Sequence, residues 1–92
     1  MDIEEMFEKH DEEFLKFERI SEPLSSRPDL HAFLVLNKLF PSDRDMIGGA
    51  RHDEIWLDID PDELSEIATE EIIVDLIRCG VRLDDEALCM YV

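Results

Sequence analysis

The stretch EIWLDIDPDELSEI, residues 54–67, decides the fold, because its hydrophobic period changes in the middle. Over residues 54–59, Ile55, Leu57 and Ile59 alternate with Glu54, Trp56 and Asp58, the two-residue repeat of a strand with one apolar and one wet face. Asp60, Pro61 and Glu63 then take the N-cap, N1 and N3 positions of a helix carrying Leu64, Ile67 and Ala68. The Asp carboxylate suits the free amides of a first turn, and proline has no donor to lose there. A strand that turns directly into a helix places the chain in a mixed class.

Downstream, Thr69 is placed to cap a second short helix through Ile72, Ile73, Leu76 and Ile77, with Gly80 at its C′ position. VRLDDEALCMYV, residues 81–92, predicts two strands about a turn near Asp84 and Asp85, the last running to Val92. Upstream, Gly48 and Gly49 mark a loop, and Ser42 with Asp45 has the spacing of a capping box for one turn of helix. DLHAFLVLNKLF, residues 29–40, is apolar on nearly every side and predicts a buried central helix stopped by Pro41. SEPLSSRP, residues 21–28, is a break, since its prolines remove donors and its serines suit caps and turns. Before it, Ile3, Phe7, His10, Phe14 and Phe17 alternate steps of four and three, predicting one amphipathic helix over 2–20. The expected fold is α+β in a single compact domain, 1–92: two N-terminal helices, then strand-helix-helix-strand-strand with a small antiparallel sheet.

Composition limits the function. Ninety-two residues, 45 % apolar and 37 % charged, suffice for one folded and very soluble domain. The net charge of −16 is uneven: residues 31–52 hold two acids and three bases, whereas residues 53–92 hold 13 acids and two bases. Direct binding to nucleic acid, or to an anionic membrane surface, lacks the Lys and Arg it needs. The longest apolar run, AFLVL at 32–36, is far short of the roughly 20 residues of a membrane span. With no apolar signal segment, Cys79 and Cys89 read as reduced thiols in a cytoplasmic protein.

Motif chemistry is sparse. Asp58, Asp60 and Asp62 open a calcium-loop pattern, but Glu63 stands where the turn Gly belongs and Thr69 where a bidentate Glu belongs. His52 and Glu54 form H-x-E without the P-C-x-x-C that zinc deaminases require, and no histidine or cysteine shows structural zinc spacing. No serine lies in G-x-S-x-G, no phosphate loop follows Gly48-Gly49, and Cys79 lies at a helix end rather than at an activating N-terminus. The expectation is a protein that is not an enzyme and uses no metal or cofactor.

What remains is the acidic run of residues 52–71, which contains no Lys or Arg. Strand residues two apart lie about 6.6 Å apart on one side, so Glu54, Trp56, Asp58 and Asp60 are expected to form a carboxylate row around an indole anchor. Asp62, Glu63, Glu66, Glu70, Glu71 and Asp75 extend it around the helix corner. DNA carries one phosphate per roughly 3.4 Å of each strand, so such a row suits a Lys/Arg-lined groove, although an acidic face is also what any soluble protein presents.

RDMIGGARHDEIWLDIDPDEL (44–64) and ATEEIIVDLIRCGVRLDDEALCMYV (68–92) resemble a group of small acidic proteins encoded by bacteriophages and prophages, which share an HDEIWLD-like run, a T-E-E helix start and an R-C-G-V-R turn. The resemblance covers the C-terminal half, and the group brings no activity with it. It implies a phage setting, in which small acidic proteins are often inhibitors of host defence, including anti-CRISPR proteins and DNA mimics. The expected function is therefore a non-enzymatic phage-type inhibitor in the host cytoplasm. Its expected partner is a basic host protein, a CRISPR effector or another nucleic-acid-binding protein, met by Glu54, Trp56, Asp58, Asp60, Asp62, Glu63 and Glu66. The alternative is a self-associating structural protein, a homodimer paired through Ile3, Phe7, Phe14 and Phe17, whose acidity only keeps it soluble.

Overall fold

A computed structural model describes residues 2–91. Helices α1 (Ile3–Lys9) and α2 (Pro28–Leu39) precede strands β1 (Ile47–Arg51) and β2 (Glu54–Leu57); helices α3 (Pro61–Ile67) and α4 (Glu70–Arg78) then lead to strands β3 (Val81–Asp84) and β4 (Ala87–Tyr91). The strands form one antiparallel sheet of order β1-β2-β4-β3, and the class is α+β as expected. Val92, where the final strand was expected to end, lies outside the described residues. No described helix is long and apolar enough to cross a membrane.

The sheet register sorts the side chains. Ile55, Met90 and Val81 align across β2, β4 and β3, as do Leu57, Leu88 and Leu83, and they meet Leu36, Leu64, Ile73 and Leu76 in the core. The next row, Trp56, Cys89 and Arg82, shares the opposite face. Helix α3 begins as its residues demand, with the Asp60 carboxylate accepting the Asp62 N–H at 2.9 Å, and Thr69 caps α4 by accepting the Ile72 N–H at 3.2 Å. Gly80 follows α4 at φ +100°. A Cβ there would lie 2.9 Å from Leu15 Cδ2 and 3.3 Å from the Tyr91 carbonyl oxygen, so the position needs glycine twice over.

Four local expectations are corrected. The helix expected over 2–20 ends at Lys9, and 3₁₀ turns at Asp11–Glu13 and Phe17–Arg19 replace its second half. A 19-residue helix would be about 28 Å long. The whole molecule measures 29 × 29 × 26 Å, so a straight rod would span its full width without turning back toward α4. Instead Leu15 adopts φ 63° and donates its N–H to the Ile77 carbonyl, wrapping the segment around α4. Glu13 fixes the wrap by accepting from Arg78 Nε at 2.8 Å and from Arg19 Nη1 at 2.6 Å.

The glycine loop expected at 48–49 is strand β1, joined to β2 by the two residues His52 and Asp53, with Gly48 at a register shift between Ile47 and Gly49. His52 supplies the positive φ, 55°, that such a tight hairpin requires. The turn of helix expected at Ser42 is absent, because Ser42 Oγ accepts the Arg44 N–H two residues on and closes a bend instead. Helix α2 is not central: His31, Ala32 and Leu36 are buried, while Leu30 and Leu34 are exposed.

Candidate docking surface

Strand β2 ends at Leu57, so the expected carboxylate row divides. Glu54 remains on the open sheet face, where Arg82 reaches across β4 and donates Nε to Glu54 Oε2 at 3.0 Å, with a second contact from its Nη2. Trp56 stands beside this pair, half-buried, aligned with Cys89. Asp58 leaves the strand and pairs with Arg44 at 3.0 Å. Two carboxylates with no basic neighbour in their own stretch thus find arginines that folding brings from residues 44 and 82. Each guanidinium cancels the charge that a basic partner would read.

The acids further on behave differently. Asp60 and Asp62 line a cleft of about 360 Å³ whose other walls are Asp2 and Glu4 at the start of α1 and Asp85 and Glu86 in the β3–β4 turn. Ile3, Pro61, Ser65 and Leu83 complete the lining. Three segments distant in sequence thus bring six carboxylates around one concavity, and among the described residues no Lys, Arg or His lines it. The convergence follows from packing, since Ile3 and Phe7 bury the face of α1 that meets α3 and β3 and so hold its acidic start at the edge of α3. Glu63 lines a second cleft with Asp58, Asp60 and Arg44, and Glu66 is exposed on α3 outside both.

Of the seven residues singled out from the sequence, folding therefore brings Asp60 and Asp62 into the acidic cleft, leaves Glu63 and Glu66 on the adjoining helix surface, pairs Asp58 with Arg44 in the second cleft, and places Glu54 and Trp56 on a different face. Asp2, Glu4, Asp85 and Glu86 were missed. Each has a local explanation, a helix cap, a first helical turn or a hairpin turn, and only the tertiary fold joins them. Six of the 25 acids lie in ion pairs among the described residues, none of them from the cleft.

Several other ionisable side chains are engaged within the fold or buried in it. His10 Nε2 lies 2.7 Å from Glu70, and this bond together with the Lys9 ammonium holds the Glu70 carboxyl below the usual carboxylate range. His31 is buried, with its Nδ1 accepting the Leu24 N–H at 2.9 Å, and burial holds its pKa below 6.5. Burial pushes the Cys79 thiol up to about 12 and raises Cys89 as well, so neither is a ready nucleophile at neutral pH. The chain finds no significant match among protein-family models, curated proteins or solved structures.

Proposed function

We propose that the protein is a non-enzymatic inhibitor of phage type, whose acidic cleft docks on the Lys/Arg-lined surface of a host nucleic-acid-binding protein. A CRISPR effector is one partner of that kind. The observation that carries the reading is the convergence of Asp2, Glu4, Asp60, Asp62, Asp85 and Glu86 on one cleft without a basic lining residue. Packing brings the three segments together, and the six carboxylates it gathers repel one another at close range, so the cleft carries a concentrated negative field. A grouped anionic surface attracts a groove built for phosphates and associates with it quickly in a salt-dependent way.

The docking residues differ from those expected at first. Asp58 and Asp60 are poor probes, since one is ion-paired with Arg44 and the other caps α3. Glu4, Asp62 and Glu86 are exposed and make no such contact among the described residues. The test is capture of host proteins from a bacterial lysate by the wild type and by the triple variant Glu4→Lys/Asp62→Lys/Glu86→Lys. A basic nucleic-acid-binding protein retained by the wild type and lost by a folded triple variant supports the reading. Equal retention by both removes the cleft from it.

Self-association through the N-terminal stripe gains no support. Ile3 and Phe7 are buried, and Phe14 and Phe17 pack against the same core within one chain.

A further inference from the structure

The two edges of the sheet are treated differently. Beside β3 lies the N-terminal segment, with Phe7 and Phe14 in a groove along Val81, Arg82 and Leu83. Beside β1 there is no further strand among the described residues, and four of its five residues are exposed. Ile47–Arg51 is guarded only by its short length, the register shift at Gly48 and the charge of Arg51: it has no proline and no inward-pointing charge, and Gly48 and Gly49 bring no side chain over the ribbon. The two-residue loop makes Arg51 and Glu54 the hydrogen-bonded closing pair, so the N–H and C=O of Ala50 face the free edge.

Next to this edge lies the surface of α2 that the single chain does not use. Leu30, Leu34 and Ile47 are 43 %, 38 % and 47 % exposed, and a shallow groove between α2 and the start of β1 is lined by Phe33, Leu34, Met46 and Ile47, with Asn37 and Asp45 as its polar members. A helix apolar on nearly every side is ordinarily buried on nearly every side. Here the side bearing His31, Ala32 and Leu36 is buried, Phe33, Val35 and Leu39 are half-buried, and Leu30 and Leu34 are left exposed.

We propose that a second copy of the chain covers this surface, the two β1 strands pairing antiparallel across a two-fold axis to make an eight-stranded sheet, with the two α2 helices packed together beneath it. Charge selects the occupant. Two chains of net charge −16 repel over most of their surfaces, but residues 31–52, which supply α2 from His31 onward and all of β1, carry two acids and three bases. Two copies meet there without net like-charge repulsion of the kind that opposes contact elsewhere. A Lys/Arg-rich partner is drawn instead to the acidic cleft, which lies by the β3–β4 turn rather than at this edge. An antiparallel two-fold contact is also self-complementary, since each strand supplies the donors and acceptors that the other lacks.

The experiment is sedimentation equilibrium of the full chain over a range of concentrations, with Leu34→Glu and Ile47→Lys as variants and amide exchange of Ala50 followed in parallel. The expected result is a species of twice the 10.8 kDa chain mass that dissociates on dilution, and Ala50 protection that rises with concentration. Each substitution places a charge in the apolar contact and weakens association at least about tenfold, leaving the circular dichroism of the chain unchanged. A wild type that stays monomeric at all accessible concentrations, its edge open to a strand of some other protein, overturns the proposal. So does a dimer indifferent to both substitutions.

Discussion

Replacing Gly80 with alanine tests how the helical layer is joined to the sheet. At φ +100° a non-glycine residue carries about 1–3 kcal/mol of backbone strain. The new methyl would stand 2.9 Å from Leu15 Cδ2, the end of an exposed and movable side chain, so that contact adds little. It would also stand 3.3 Å from the Tyr91 carbonyl oxygen, and Tyr91 cannot retreat freely because its N–H donates to the Gly80 carbonyl at 2.9 Å. The sum is about 2 kcal/mol, which for a domain of this size lowers Tm by roughly 10 °C. Gly49→Ala is the control, since nothing lies within 4 Å of a Cβ there. Urea unfolding of both variants, with m-values compared to establish a common denatured state, gives the two free energies. Equal stability of Gly80→Ala and Gly49→Ala would refute the reasoning.

Further outcomes follow from the same contacts. The Arg78 guanidinium bonded to Glu13 holds its carboxyl below the ordinary 4.5, so this stabilisation is complete above 4.5 and is lost as pH falls through the lower folded value. The urea midpoints of wild type and Glu13→Gln should differ at pH 7 and converge below pH 4.5; a gap that ignores pH contradicts the pairing. His31 titrates below 6.5 because its imidazole is buried, so the unfolded chain takes up its proton first and stability falls as pH drops below 6.5. An NMR midpoint at or above 6.5 for this residue would contradict its burial. Cys79 and Cys89 should resist a thiol-specific disulfide reagent at pH 8 in the native protein and react fully in urea, and rapid native labelling would show that the core opens there. Leu64→Ala, at a fully buried position, should cost about 2–5 kcal/mol in the same urea assay, and a cost below about 1 kcal/mol would remove Leu64 from the core.

The sequence was most legible where one local rule was sufficient. Asp60-Pro61 and Thr69 announce α3 and α4, Gly80 announces the stop, and the alternation of Ile55 and Leu57 orients β2, because caps, turns and period-two burial are decided within a few residues. The N-terminal segment misled for the opposite reason. Its steps of three and four suit a helix, but the tertiary bonds of Leu15 and Glu13 wrap the segment around α4 instead. Strand β1 was hidden because its hairpin uses His52 where glycine is the usual signal, and because Gly48-Gly49 reads as a loop by propensity. Two of the six cleft carboxylates, Asp60 and Asp62, were visible in the acidic run. That Arg82 and Arg44 silence Glu54 and Asp58, while Asp2, Glu4, Asp85 and Glu86 join Asp60 and Asp62, depends on contacts between residues far apart in the chain.

The central claim is that the acidic cleft stands in for a phosphate backbone. Its most direct test is to load the tagged protein with whatever it captures from a bacterial lysate, elute with duplex DNA in low salt, and identify the released proteins by mass spectrometry. The expected result is a dominant basic nucleic-acid-binding protein that DNA displaces and that high salt also releases. A captured partner that DNA leaves in place and high salt does not loosen would contradict it.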